Sequence, residues 1–129
     1  MSESAIICVD DEVVILDSLK KQLKRQFGKQ FIYEVAESAE EAWELIEELN
    51  NDKIEVIIIV SDWLMPGIKG DEFLIQIHQR FPKVIKVMLT GQADQTAIER
   101  TKKEANLHAC LYKPWTEEEL TQIIATAIN

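Results

Sequence analysis

Five short apolar runs recur along the 129-residue chain, and the stretches between them have the spacing of helices. Apolar runs of about four to eight residues are typical of strands buried on both faces of a sheet. The runs occupy positions 5–9, 31–36, 54–60, 84–89 and 108–112. The run IEVIIIV at 54–60 is the most continuously apolar, so we expect this strand at the centre of the sheet.

The intervening stretches repeat apolar residues with the period of a helix that has one buried face. Helices are predicted over 13–27, after Ser38, around 73–81, around 97–105 and after Thr116. Ser38 with Glu41, and Thr116 with Glu119, fit capping boxes, in which the two side chains satisfy backbone N–H groups at the helix start. Asp94 is the predicted cap of the fourth helix.

Strands that alternate with helices form right-handed β-α-β units, and such units build a parallel sheet covered on both faces. The predicted fold class is therefore α/β, with a doubly wound sheet of five parallel strands. The length suits one domain, and no linker or low-complexity tract divides the chain. We expect residues 1–129 to form a single domain, either a whole protein or the N-terminal part of a longer one.

Composition and charge exclude several classes of protein. With 47% hydrophobic and 29% charged residues, the chain has the composition of a soluble globular protein. It carries neither a signal-peptide pattern nor an apolar run near the roughly 20 residues of a membrane span, so we expect a cytoplasmic location. The net charge of −9 argues against direct binding to nucleic acid or a membrane. Cys8 and Cys110 lack metal-ligand spacing and are predicted to be buried, reduced thiols.

Polar side chains that could bind a ligand or take part in a reaction follow four of the five predicted strands. They are Asp10 and Asp11 after the first strand, Asp62 after the third, Thr90 after the fourth and Lys113 after the fifth. Ligands of open parallel sheets bind beyond the carboxyl ends of the strands. We therefore expect these side chains to converge, although they are far apart in the chain. The histidines His78 and His108 lie elsewhere, and His78 is predicted to be a surface residue.

Three clustered carboxylates repel one another, and a divalent cation would offset that repulsion. Hard oxygen ligands suit Mg²⁺, and Mg²⁺ beside a lysine and a hydroxyl is an arrangement for phosphoryl transfer, in which an aspartate can be the nucleophile. Each residue also has a simpler explanation when taken alone. Asp10 and Asp11 can form a turn and a helix cap, and Asp62 can belong to a Pro-Gly turn. Their joint placement at strand ends favours the chemical interpretation.

At this point the chain resembles the receiver domains of two-component response regulators, over essentially its whole length. The matching stretches are VDDE (9–12), SDWLMPGIKG (61–70), LTG (89–91) and KPW (113–115). The resemblance implies a flavodoxin-like fold with strand order 2-1-3-4-5. It also implies a signalling switch controlled by phosphorylation rather than a classical enzyme.

The resemblance assigns a role to each residue of the predicted cluster. Asp62 is implied to be the phospho-acceptor, and Thr90 and Lys113 the pair that contacts the phosphate. The implied Mg²⁺ contacts are Asp10 through water, Asp11, Asp62 and the backbone carbonyl of Leu64. The Lys113–Pro114 bond is expected to be cis.

Partners and output also follow from the resemblance. A histidine kinase or phosphotransfer protein would donate the phosphoryl group from phosphohistidine, as in a phosphorelay, and the domain would itself hydrolyse the product slowly. The face formed by residues 91–128 would contact an output domain, a partner protein or a second copy in a phosphorylation-linked homodimer.

Two positions depart from the family pattern. The aromatic residue that usually stands three places before the lysine is replaced by Cys110, which puts the usual switch mechanism in question. Tyr112 would lie on the same sheet face and is either its substitute or a fixed packing residue. The usual Gly-Ala before the last strand is replaced by EANL at 104–107, where Asn106 is expected to supply a left-handed turn.

Three other functions remain to be weighed. A phosphatase or phosphotransferase of haloacid-dehalogenase type would carry a second aspartate two places after Asp62, where this chain has Leu64. A docking module that no longer uses phosphate would have lost an acid, Thr90 or Lys113. A flavin-binding module would favour a hydroxyl-rich phosphate loop after the first strand, where this chain carries acids.

Overall fold

The computed structural model describes residues 3–92 and 95–129, and strands alternate with helices throughout. The elements are β1 (Ser4–Val9), α1 (Val13–Phe27), β2 (Ile32–Ala36), α2 (Ala39–Asn51), β3 (Glu55–Asp62), α3 (Gly70–Arg80), β4 (Ile85–Thr90), α4 (Gln95–Ala105), β5 (Ala109–Tyr112) and α5 (Glu117–Ile128). Every predicted strand and helix is present. The predicted cap Asp94 lies outside the described residues.

The five strands pair in parallel in the order β2-β1-β3-β4-β5. This order confirms the flavodoxin-like, doubly wound fold and places β3 at the centre, as its apolar run predicted. The chain moves from β1 outward to β2 and then returns past β1 to β3. The strand order therefore reverses between β1 and β3, and the carboxyl ends of these two strands flank the crevice where ligands bind in such sheets.

Two apolar layers lie on opposite faces of the sheet. One layer packs against α1 and α5, and the other packs against α2, α3 and α4. The alternation of strand side chains between faces is visible in β3, where Ile58 and Val60 join the first layer and Ile59 joins the second. Burial on both faces explains why these runs are apolar without alternation.

Local signals in the sequence fix the ends of several elements. The Ser38 hydroxyl accepts a hydrogen bond from the Glu41 N–H at 3.1 Å. At α5 the capping box is complete, because the Thr116 hydroxyl accepts from the Glu119 N–H and the Glu119 carboxylate accepts from the Thr116 N–H. Such a cap contributes about 1 kcal/mol. Asn106 has the expected left-handed backbone (φ 53°), and the Lys113–Pro114 bond is cis as expected.

One prediction about side chains is wrong. His78 is half-buried rather than on the surface, and its Nδ1 lies 2.7 Å from the Nζ of Lys86, a β4 residue only 1% exposed. Lys86 also donates to the carbonyl oxygen of Pro82 at 3.4 Å. Burial lowers the pKa of Lys86 to about 8, and burial together with the Lys86 charge lowers the pKa of His78.

The cysteines and the remaining histidine differ from expectation only in detail. Cys8 is a buried free thiol, whose pKa burial raises to about 12, and Cys110 is a half-buried free thiol. His108 precedes β5 instead of beginning it, and its Nε2 lies 3.1 Å from the Thr126 hydroxyl oxygen. Within residues 3–92 and 95–129, no helix is both long and apolar enough to cross a bilayer.

Candidate functional site

Three aspartates meet at the carboxyl edge of the sheet, between β1 and β3. Asp10 directly follows β1 and is fully buried, while Asp62 ends β3 and is 4% exposed. Asp11 is exposed beside them, and one carboxylate oxygen from each of the three lies within 4.8 Å of the others. The structure therefore brings together the acids that the sequence predicted would converge.

Asp10 is held in place by the turn that leads from β1 into α1. Its N–H donates to the Ala36 carbonyl at the end of β2, at 3.1 Å. Its Oδ1 accepts from the Glu12 N–H at 2.8 Å, so the carboxylate braces the backbone just before the helix. The simpler explanation, a turn-forming aspartate, thus holds for Asp10 together with its place in the acid cluster.

Lys113, the residue after β5, reaches into this cluster. Its Nζ lies 3.0 Å from Asp10 Oδ2, 3.2 Å from Asp62 Oδ1 and 4.0 Å from Glu12 Oε1. The lysine side chain is 21% exposed, whereas those of Asp10 and Asp62 are almost completely buried. One ammonium therefore bridges the carboxylates that follow β1 and β3.

Thr90 and Leu64 lie at the margin of the cluster. Thr90 ends β4 and is buried, its hydroxyl oxygen accepts from the Gln92 N–H at 3.0 Å, and its carbonyl accepts from the Lys113 N–H at 2.8 Å. Leu64 lies in the loop after β3 with its side chain 52% exposed. Its carbonyl as a metal contact stays a prediction.

The pKa values record an excess of negative charge at this edge. Burial raises the pKa of Asp62, and the neighbouring Asp10 charge raises it further, against the opposing effect of Lys113. Burial alone would lower the pKa of Lys113, but hydrogen bonds and charges from Asp10 and Asp62 raise it above its ordinary value. One ammonium thus fails to neutralise the carboxylates around it.

The donor set fits a hard divalent cation. Carboxylate oxygens are the ligands that Mg²⁺ prefers, and the exposed Asp11 leaves one side open to the waters that Mg²⁺ retains. No thiol or imidazole belongs to the group, so the chemistry does not favour a soft metal. The acid cluster can therefore hold such an ion, with a positive charge that offsets the repulsion.

Gly70, the first residue of α3, was missed by the sequence reasoning. Its N–H donates to the Trp63 carbonyl at 2.7 Å, which folds the loop 63–69 back onto the end of β3. A Cβ at this position would lie 2.0 Å from the Asp62 carbonyl oxygen, which only a glycine avoids. The sequence did offer a sign of its importance, because Gly70 is the last residue of the stretch SDWLMPGIKG.

The three tryptophans are held in different ways. The Trp115 and Trp43 indoles donate to the side-chain oxygens of Gln22 and Gln76, at 2.8 and 3.3 Å. Trp63 instead packs in the loop beside Asp62, with the Lys69 ammonium 5.2 Å from its ring centroid. Trp43 and Trp115 are therefore held by side-chain hydrogen bonds as well as by packing.

Tyr112 occupies the edge of the site that a switch residue would use. It pairs with Thr90 across β4 and β5, and Cys110 stands two residues earlier on the same strand. The tyrosine is 53% exposed and Cys110 is half-buried. The aromatic ring at this edge is therefore one pleat nearer the acids than the family pattern has it.

A large groove lies elsewhere and has a different character. It encloses about 890 Å³ at the opposite edge of the sheet, where β3 and β4 begin and α5 ends. Its lining includes the apolar segments 56–57 and 84–85. None of the acids described above lines it, so the groove and the acid cluster are separate features.

Comparison with known proteins agrees with the geometry. Residues 6–125 match the family model of the response regulator receiver domain. A hydrogenase transcriptional regulatory protein, HoxA of Cupriavidus necator, is 28% identical over 127 residues, which cover 98% of this chain and 24% of HoxA. The chain thus spans about a quarter of the length of this relative.

Solved structures resemble the whole domain. The signal receiver domain of an HD domain-containing protein from Pseudomonas fluorescens Pf-5 superposes with a TM-score of 0.86 at 28% identity, covering 98% of this chain and 94% of that one. The beryllofluoride-activated NtrC4 receiver domain dimer gives a TM-score of 0.81 at 26% identity, covering 95% and 94%. Both share the fold over nearly their full length.

Proposed function

This chain belongs to the response regulator receiver domain family of two-component signalling, and from that premise we propose that Asp62 accepts a phosphoryl group in a Mg²⁺-dependent reaction. Receiver domains are regulatory, so the phosphorylated state is the product that matters rather than a released compound. The single observation that carries the proposal is the meeting of Asp62 with Asp10, Asp11 and Lys113 at the strand-order reversal.

The chain's own residues supply the nucleophile and its orientation. An Asp62 carboxylate oxygen bonds to phosphorus as the phosphorus–nitrogen bond of a donor phosphohistidine breaks, and the donor imidazole leaves. Lys113, held within 3.2 Å of Asp62, then neutralises an oxygen of the transferred group, and Thr90 donates a hydrogen bond to another.

Mg²⁺ is the metal we propose for the acid cluster, with Asp10 acting through water and Asp11, Asp62 and the Leu64 carbonyl as direct contacts. When bound, it offsets the negative charge of the phosphoryl oxygens and of the carboxylates together. Because Leu64 has an apolar side chain, it cannot position an attacking water by hydrogen bonding. We therefore propose that the domain hydrolyses its own aspartyl-phosphate slowly.

We propose one partner that donates the phosphoryl group and another that responds to the phosphorylated domain. A histidine kinase or phosphotransfer protein supplies the phosphoryl group in the cytoplasm. The face formed by 91–128 then contacts an output domain, a partner or a second copy, because Thr90 and Lys113 border it. Homodimer formation is named for the NtrC4 neighbour and is a proposal for this chain. With Cys110 in place of the usual aromatic, Tyr112 is the ring available to respond to Thr90.

The rival functions fit the site less well. A phosphatase of haloacid-dehalogenase type has no acid here to protonate a leaving group, because Leu64 stands at that position and is exposed. A flavin phosphate would meet the carboxylates of Asp10 and Asp11 at the crevice. A docking module without phosphate chemistry gives no reason for a buried carboxylate whose charge Lys113 leaves partly uncompensated.

Intact-mass spectrometry with acetyl phosphate as donor tests the proposal. Wild type should gain one phosphoryl group in Mg²⁺ and none in chelator, and Asp62→Asn should gain none. Asp71→Asn is the control matched for burial, since Asp71 is another buried aspartate outside the cluster. Equal labelling of wild type and Asp62→Asn would defeat the assignment of Asp62.

A further inference from the structure

The first turn of α3 rests directly on the backbone of the proposed phospho-acceptor. Gly70 approaches the Asp62 carbonyl so closely that no side chain fits between them. The next two residues, Asp71 and Glu72, carry carboxylates, and that of Asp71 is 11% exposed. A shift of the Asp62 carbonyl toward Gly70 would therefore press on the start of α3, which carries this pair of acids.

Arg100, in the middle of α4, holds both of these acids. Its guanidinium nitrogens lie 3.0 Å from Glu72 Oε2 and 3.6 Å from Asp71 Oδ2. The third nitrogen donates to Glu104 at 2.8 Å on the same helix, which fixes the orientation of the guanidinium. One planar cation thus joins the start of α3 to the middle of α4.

The rest of the α4 interface consists of one large apolar side chain, Ile98, and small side chains. The buried residues of α4 are Ala97, Ile98, Thr101 and Ala105, whereas α3 buries Phe73 and three larger aliphatic residues among others. The Thr101 hydroxyl donates back to the Ala97 carbonyl within the helix rather than to a neighbouring element. Because Ile98 is the largest apolar side chain that α4 buries, the polar tether carries a larger share of the attachment of α4 to α3 than it would in a helix with several large apolar residues.

We propose that Arg100 is a latch that couples phosphorylation of Asp62 to the position of α4 through Asp71 and Glu72. The inference rests on the proposed function and adds a route that does not need the aromatic residue replaced by Cys110. Arg100 is a positioning residue, because it touches α3 and α4 and neither the phosphoryl group nor the metal. Asp71 and Glu72 lie on α3 beside the acid cluster, and Arg100 lies on α4 within the 91–128 face, so the latch joins the cluster to the proposed output surface.

The latch is not expected to contribute much to the free energy of unfolding. Ion pairs between exposed side chains contribute little to folding, and Arg100 and Glu72 are both partly exposed. Coupling between two sites requires only that the tether differ in strength between two positions of α4. The nearly buried Asp71 carboxylate makes that difference less dependent on solvent screening than a surface pair would be.

Amide hydrogen exchange in α4, with and without beryllofluoride and Mg²⁺, measures the coupling. In wild type the exchange of peptides from 95–105 should change on activation. Arg100→Gln should reduce this change about fivefold. Arg100→Lys should restore part of it, since one ammonium can hold one of the two acids. Lys102→Gln is the matched control, because Lys102 lies on the same helix and pairs only weakly with Glu99 at 3.8 Å.

Glu72→Gln provides a second approach from the other helix. It leaves α4 itself unaltered, so a reduced response cannot be ascribed to an unfolded α4. Combined with Arg100→Gln it should add nothing further, because both variants break the same contact. Additive effects of the two variants would contradict a shared latch.

Phosphoryl labelling by intact mass separates failure of the latch from failure of the proposed function. Arg100→Gln should be labelled at the wild-type extent, since Arg100 does not touch the acid cluster. If labelling is normal and the α4 response persists in Arg100→Gln, the latch is wrong and the function stands. If wild type is not labelled at Asp62, the proposed function fails, and the latch fails with it.

Discussion

The sheet carries buried charged side chains in two places. The two places differ in whether other charged groups lie beside the buried charge. At its carboxyl edge, Asp10 and Asp62 share one ammonium with the exposed Asp11 nearby. Near the start of β4, Lys86 is a single cation whose described partners are the neutral groups of His78 and Pro82. The same strand ends in Thr90, beside the acids.

The difference separates a candidate metal site from a structural charge. Like charges that border solvent gain from an added cation, so their repulsion is relieved when a ligand arrives. A lone ammonium that is 1% exposed and hydrogen-bonded to neutral acceptors has no such route, and its burial simply lowers its pKa. A perturbed pKa alone does not identify a site, and the acid cluster is a candidate because like charges there also border an opening.

The largest expected effect on stability tests whether the close contact between Gly70 and the Asp62 backbone is needed to form the acid cluster. Gly70→Ala should lower the free energy of unfolding by about 4 kcal/mol, because its Cβ would lie 2.0 Å from the Asp62 carbonyl oxygen. Gly91→Ala is the matched control at the same edge, since its Cβ would meet only the Lys113 Cβ at 3.9 Å. Urea unfolding of both variants measures the contrast, and similar stabilities would show that the close approach relaxes freely.

The next largest effect is the pH dependence of stability that the buried Lys86 causes. The pKa of Lys86 is about 8 in the folded state against about 10.4 in the unfolded chain, so the unfolded chain binds the extra proton between these values. Wild-type stability should therefore gain at most about 3 kcal/mol, relative to Lys86→Met, as pH rises from 8 through 10.4. The penalty is fully present below pH 8, where Lys86→Met should be the more stable protein.

His78 causes a smaller pH dependence of stability in the acid range, which also arises from burial and from the Lys86 charge. The folded-state pKa of His78 is lowered by burial and by Lys86, so stability is lost as pH falls through the ordinary histidine value. Lys86→Met should lose less in this range, because the repelling ammonium is gone. Parallel stability curves for the two proteins from acid to alkali would show that Lys86 is not the buried charge described here.

A further stability effect comes from metal binding at the acid cluster. Mg²⁺ well above its dissociation constant should stabilise the fold by about 2 kcal/mol, because it binds the native arrangement of carboxylates and not the unfolded chain. Asp11→Ala should remove most of this gain, whereas Lys86→Met should keep it, since Lys86 lies outside the cluster. A melting temperature that ignores millimolar Mg²⁺ would argue against a metal site.

Much of this arrangement is readable from local sequence. The periods of the apolar runs gave the elements, because burial on two faces or one imposes them directly. The cluster followed from one rule, that carboxyl ends of parallel strands share an edge, and this rule needs only the order of residues such as Asp10, Asp62 and Lys113. The strand order came from the motif resemblance, since periodicity does not reveal which strands are neighbours.

What could not be predicted depends on partners distant in the chain. Lys86 sits in the run VIKVML, and no local signal says that its ammonium reaches His78 on the preceding helix. Arg100 meets Glu72 across 28 residues, and only its pairing with Glu104 follows helical spacing. Gly70 was visible as a glycine, but its need to be one arises from the path of the backbone at Asp62.

The unequal anchoring of the tryptophans gives the domain a built-in optical probe. Trp43 and Trp115 are pinned by side-chain amides, so their emission should form a steady background. Trp63 follows Asp62, the proposed phospho-acceptor, and the Lys69 ammonium lies 5.2 Å from its ring centroid, where a motion of the loop would displace it. An indole's excited state responds to such a nearby charge, so the colour and brightness of one residue would follow the chemistry at its neighbour without any attached dye.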